Sequence, residues 1–124
     1  PAAGFVTPSA ALAIGAIAGL TCYWGATGLK RILNADDSLD VFGVHGIGGI
    51  VGALLTGVFA SKTISGVHGD IAVQLLGVVA VVVYSGVMSA VLLWVTKVIV
   101  GLRVDDSSEV TGLDVTQHRE HLGS

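Results

Sequence analysis

Charge is scarce in this sequence, and cysteine is nearly missing. Six of 124 residues are Lys or Arg and nine are Asp or Glu, so 12% are charged, about half the share of an average soluble domain. So few charges leave too little polar surface for an ordinary water-soluble fold. The formal net charge of −3 also leaves no basic stripe for a nucleic acid. The single Cys22 excludes an intramolecular disulfide and leaves the redox compartment open. Set in an apolar stretch, it reads as a small packing residue rather than a metal ligand. The chain begins at Pro1 without an initiator Met or a basic stretch ahead of its first apolar run. It therefore does not read as a signal peptide followed by a mature domain, but as a fragment.

What is present is apolar: 52% of residues are hydrophobic, and the mean hydropathy is +0.84. A bilayer core of about 30 Å needs about 20 helical residues at 1.5 Å each, and three stretches reach that length. The first, about 8–31, is uncharged from Pro8 to Leu29 and closes on Lys30 and Arg31. The second, about 41–60, carries one ionisable residue, His45. The third, about 71–100, is rich in Val, a poor helix former in water that inserts well in lipid. A helix satisfies its own backbone groups in lipid and an open strand does not, so all three are expected to be helices. The fold class is all-α membrane protein. A membrane region over 1–104 is followed by a tail over 105–124.

Three crossings put the link at 34–40 and the tail on one side. Lys30, Arg31, Lys97 and Arg103 fall on that side and Lys62 on the other, so the positive-inside rule makes it the cytoplasmic side. Tyr23, Trp24 and Trp94 fit interfacial aromatic positions. Gln74, Tyr84, Ser85 and Ser89 are spread over the third helix without forming a continuous polar stripe.

The second helix carries the informative residues. Asp40, just before Val41, is placed to cap the free N–H groups of the first turn; an acidic group at the mouth of a pathway is the compatible alternative. His45, Gly49, Gly52 and Thr56 follow at steps of four, three and four, and Gly48 and Gly52 form a small-xxx-small pair. Such faces let helix backbones approach closely, which predicts a central helix with His45 toward protein or a cavity. A charged side chain at that depth costs a few kcal/mol, so the neutral imidazole, which both donates and accepts, is the expected form. It serves either to hold a polar solute in a pore or to bond a neighbouring helix as packing. His68, His118 and His121 lack the paired Cys, carboxylate or close His spacing of a metal site.

The run Asp36-Asp37-Ser38-Leu39-Asp40-Val41-Phe42-Gly43-Val44-His45-Gly46-Ile47-Gly48-Gly49 resembles the pore-helix signature of the Amt-type ammonium transporters. Pro1-Ala2-Ala3-Gly4-Phe5-Val6 resembles the loop before their ninth helix. Trp24-Gly25 and Leu29-Lys30-Arg31 match that helix's cytoplasmic end. Similarity continues at Gly101-Leu102-Arg103-Val104 and Gly112-Leu113-Asp114-Val115.

The resemblance implies helices nine to eleven of an eleven-helix, inverted-repeat fold that assembles as a homotrimer in the cell membrane, with one narrow apolar pore per subunit. It implies that His45 is one of two adjacent pore histidines, its twin lying in sequence absent here, and that Val41 lines the same pore. It implies ammonium or ammonia as the solute, no cofactor and no enzymatic activity. The acidic tail, read from composition alone, lacks fixed structure. The resemblance instead packs it under the cytoplasmic face, with Gly101, Arg103, Asp114 and His118 as its matching residues and a PII-type signal protein as partner. Arg119 follows His118 where the family usually has glycine, a departure that touches the tail and not the pore.

Two other functions compete with transport. A structural or assembly subunit would use the glycine faces alone and tolerate replacement of His45. An intramembrane hydrolase built on Ser85 and His45 would need a nucleophile turn and oxyanion donors, and the sequence has no G-x-S-x-G. Three helices do not enclose such a pore, so the chain alone is expected not to conduct.

Overall fold

A computed structural model describes residues 2–34 and 37–119. Pro1, Asp36 and His121, which the sequence reading used, lie outside the described residues. Three helices are long and apolar enough to cross a membrane: Pro8–Leu33, Phe42–Phe59 and Ile71–Ile99. The chain divides into two compact units, residues 1–82 and 83–124. The first holds the first two long helices and the start of the third. The second holds the rest of the third helix and the tail.

The first helix begins at Pro8, where a missing N–H is no loss. The Thr7 side chain accepts from the Ala10 N–H at 3.3 Å. Seventeen residues of α-helix to Trp24 pass into a π-helical segment, Gly25–Leu29, and a last α-turn, Lys30–Leu33. Asn34 ends it in the left-handed conformation at φ 48°. The second helix opens with its own π-helical segment, Phe42–Gly46, and continues as α-helix over Ile47–Phe59. Beyond it, Ala60 turns extended and bridges Val6, while the Ser61 N–H donates to the Phe5 carbonyl at 2.8 Å. These bonds tie the segment before the first helix to the end of the second. A short helix, Lys62–Ser65, ends on Gly66 at φ 75°, and Asp70 caps the third helix through the Ala72 and Val73 N–H groups.

The first and second helices pack on small residues. Ile14 and Gly25 are buried on one, and Gly43, Gly52, Thr56 and Gly57 on the other. The buried Thr56 hydroxyl donates to the Gly52 carbonyl at 2.7 Å, so no polar group is stranded in the contact. Gly57 receives the start of the third helix, since a Cβ there would lie 2.9 Å from the Ile71 Cα and from Gln74 Cγ. The 29-residue third helix has a rise of about 44 Å at 1.5 Å per residue, more than the bilayer core of about 30 Å. No residue in it is buried, and its leucines and valines are for the most part exposed, an apolar surface suited to lipid or to other protein.

The tail corrects the reading from composition. Gly101, at φ 92°, follows the third helix, and two short helices, Asp106–Thr111 and Leu113–Thr116, come after it. A local cap and an ion pair fix the first of these. Asp105 accepts from the Ser108 N–H at 3.1 Å, and Arg103 meets Glu109 at 2.8 Å.

Candidate functional site

His45 sits in the π-helical segment Phe42–Gly46. The Ile47 N–H reaches the Phe42 carbonyl, five residues back. Such insertions into α-helices are rare and occur frequently at functional sites. The packed line on this helix runs through Gly43, Gly48, Gly52 and Thr56, at steps of five, four and four. In a plain α-helix a step of five would turn Gly43 about 140° away from Gly48. The π turn absorbs that rotation and keeps both glycines against the first helix.

The same turn settles where His45 goes. Plain α-helical spacing places His45, Gly49, Gly52 and Thr56 on one close-packing face, and the structure divides that set. Gly52 and Thr56 are buried, whereas His45 and Gly49 are exposed, and Val41 is exposed with them. His45 and Val41 thus belong to a face of the second helix that the first helix does not cover. Apolar Val44 and Phe42 are also exposed beside them.

The crossing behind that face is unusually close. A Cβ on Gly43 would lie 2.6 Å from the Ala26 nitrogen and 2.7 Å from its Cα. A Cβ on Gly25 would lie 3.0 Å from the Gly43 carbonyl oxygen. The contact therefore joins the two π-helical segments, backbone to backbone. Cys22 adds a polar link, its Sγ donating to the Val44 carbonyl at 3.4 Å. This half-buried thiol packs over Gly48, and no metal-binding group forms among the described residues.

Capping falls to a residue the sequence reading did not single out. The Asp37 carboxylate accepts from the Val41 N–H at 2.8 Å and the Phe42 N–H at 2.9 Å. Asp40 was expected there; its carboxylate instead meets Lys30 Nζ at 2.7 Å. The cause is conformational: a cap side chain reaches the first turn from an extended backbone, and Asp40 stands at φ 54°. Its carbonyl still accepts from the Val44 N–H at 2.8 Å, so its backbone begins the helix while its side chain bridges to the first one. Two aspartates three residues apart were the available signal.

The tail residues are spread along their segment. Gly101 and Arg103 precede the first tail helix, Asp114 lies in the first turn of the second, and His118 is exposed just beyond, its N–H bonded to the Leu113 carbonyl at 3.3 Å. At the far end of the second helix from His45, a cavity of about 320 Å³ is lined by Phe5, Thr56, His68, Asp70 and Gln74 among others.

Three apolar spans with polar connections define a multi-pass membrane protein. The sequence profile of the Ammonium Transporter Family matches residues 1–122, and the chain belongs to that family. It is 44% identical to an ammonium transporter of Aquifex aeolicus over 97% of its length, covering 30% of that relative. It is 38% identical to an ammonium transporter of Bacillus subtilis, again over 97% of its length and 32% of the relative. An ammonium transporter 1 of Dictyostelium discoideum is 36% identical over the same share of this chain. The chain thus spans about a third of the length of the curated relatives it matches.

Proposed function

We propose that this chain supplies three helices of a membrane transporter for ammonium or ammonia, and that His45 and Val41 form part of the wall of its solute path. One observation carries the reading: the only ionisable side chain inside the second apolar span stands on a π turn, on the face turned away from the first helix, with Val41 exposed beside it. An imidazole there offers one donor and one acceptor in otherwise apolar surroundings. Stripping a small cation of water is expensive in such a passage, so a neutral solute or a handed-on proton is favoured over a hydrated ion.

The surroundings of that face come from outside this chain. Three helices do not enclose a pore, and relatives about three times as long leave room for the eleven-helix, inverted-repeat arrangement and for a second histidine opposite His45. The distribution of Lys and Arg supports a cytoplasmic side for the Lys30 to Asp40 link and the tail. A homotrimer, and regulation by a PII-type protein through the tail, belong to the same reading and rest on the family resemblance. The folded helices at Asp106–Thr111 and Leu113–Thr116 are compatible with a tail that docks.

Ammonium-driven current and internal pH change in liposomes, measured on the complete parent protein with and without His45→Ala, test the reading. Losing an interaction of ~1.4 kcal/mol at the narrowest point changes the rate about tenfold. A loss of that order, or a change in the transported species, is the expected result. Unchanged flux and selectivity would return His45 to packing and favour a purely structural role for these helices.

A further inference from the structure

We propose that Gly43 and Gly25 are positioning residues for His45: by letting two π-helical segments touch backbone to backbone, they set where the imidazole stands in the solute path. The proposal rests on the reading that His45 lines that path.

The geometry at the crossing is restrictive. The three atoms nearest to a Cβ added at Gly43 are all backbone: Ala26 N at 2.6 Å, Ala26 Cα at 2.7 Å and Gly25 C at 2.9 Å. No flexible side chain can swing aside, so the backbone segments must separate. The segment that moves is Phe42–Gly46, in which His45 lies two residues from Gly43. Gly25 is the milder partner, because a Cβ there meets the Gly43 oxygen at 3.0 Å, Ile47 Cγ1 at 3.1 Å and the Gly43 Cα at 3.2 Å. These distances ask for a shift of only a few tenths of an ångström.

Four hydrogen bonds hold the segment. The Asp37 carboxylate caps its start through the Val41 and Phe42 N–H groups, while Lys30 to Asp40 and Cys22 to the Val44 carbonyl tie it to the first helix against sliding. Each is weak by itself: the ion pair is partly exposed, and such pairs add little. The steric contact at Gly43 therefore sets the separation, and the bonds set the register. Two residues apart, Gly43 and His45 stand about 200° apart on any α-helix. The π turn adds that Gly43 shares the packed side with Gly48 and Gly52, which turns His45 off that side.

The test uses the complete parent protein in liposomes, with Gly43→Ala, Gly25→Ala and His45→Ala compared with the unaltered protein. Three quantities are read: ammonium flux, the ratio of methylammonium to ammonium flux, and the alkylation rate of Cys22 resolved by peptide mass spectrometry. Misplacing a reacting group by about 1 Å can cost about a hundredfold, so the backbone separation that Gly43→Ala requires, larger than that for Gly25→Ala, is expected to lower ammonium flux about tenfold or more. Discrimination against one extra methyl spans about 10- to 200-fold in tight sites, so the flux ratio is expected to move at least about threefold as the passage changes shape. Cys22 alkylation should rise as the helices part, and Gly25→Ala should move all three quantities the same way by less.

Gly43→Ala with flux and ratio like the unaltered protein overturns the proposal. So does an equal fall in both fluxes with the ratio unchanged, which would mark a loss of folded protein alone. If Gly43→Ala does not accumulate, Gly25→Ala decides by the same two criteria. An unchanged His45→Ala would sink the solute-path reading itself, and its signature is distinct because the Cys22 alkylation response to Gly43→Ala would persist.

Discussion

The thiol of Cys22 donates to the carbonyl of Val44 at 3.4 Å, one residue before His45, and thereby joins the first long helix to the π turn of the second. That carbonyl also receives the Ile47 N–H, so the bond is made at the place where the regular α-helical pairing is interrupted. The same sulfur fills the space above Gly48, where an added Cβ would lie 2.8 Å from it.

Gly48→Ala is accordingly expected to destabilise the parent protein, by the ~1–3 kcal/mol typical of overpacking. In a Cys22→Ala background the obstructing sulfur is gone, and the same change should cost less. A double-mutant cycle on detergent-solubilised protein, followed by denaturant unfolding, should give a coupling of about 0.5 kcal/mol or more. Additive effects would mean that the sulfur and the glycine do not share that space.

A second expectation concerns the two aspartates ahead of the second helix. Removing a capping side chain costs typically about 1 kcal/mol, so Asp37→Ala should lower unfolding stability by roughly that amount. Asp40→Asn removes only a partly exposed ion pair, worth about 0–1 kcal/mol, and leaves both cap bonds in place. The order of the two effects is the measurement: a larger loss in Asp40→Asn would return the cap to Asp40.

Different physical signals account for what could and could not be read in advance. The three long helices were legible because an apolar run of about 20 residues has few folded alternatives in lipid. His45 stood out because an ionisable group in such a run is costly and therefore rarely idle. The crossing was not legible. Gly25 and Gly43 are 18 residues apart, and nothing in a single sequence says that they touch. The π turns were hidden for a related reason: periodicity is judged at 3.6 residues per turn, and a five-residue step from Gly43 to Gly48 looks like a change of face. Reading His45 and Gly52 as one face followed from that assumption. Asp37 was passed over because capping was assigned to the aspartate nearest the apolar run, while the left-handed backbone of Asp40 is a property of the folded link.

The tail offers a pH-dependent expectation whose sign follows from one carboxylate. Asp105 caps the first tail helix, accepting from the hydroxyls of Ser107 and Ser108 and from the Ser108 N–H. These bonds favour its ionised form, Ser107 most, and lower its pKa from 3.8 to about 2. A folded-state value below the unfolded one means that the carboxylate contributes stability above the unfolded value and loses it as pH falls through the folded one. The cap should therefore be intact at pH 4 and above, and released as pH falls through about 2. A carbon-detected NMR titration of Asp105 in the parent protein reads the midpoint directly. Ser107→Ala should move it up toward 3.8, and by more than Ser108→Ala, because the Ser107 hydroxyl is the larger cause. A midpoint already at the ordinary value in the unaltered protein would mean that the serines do not close on this carboxylate in solution, and the tail helix would then begin without its cap.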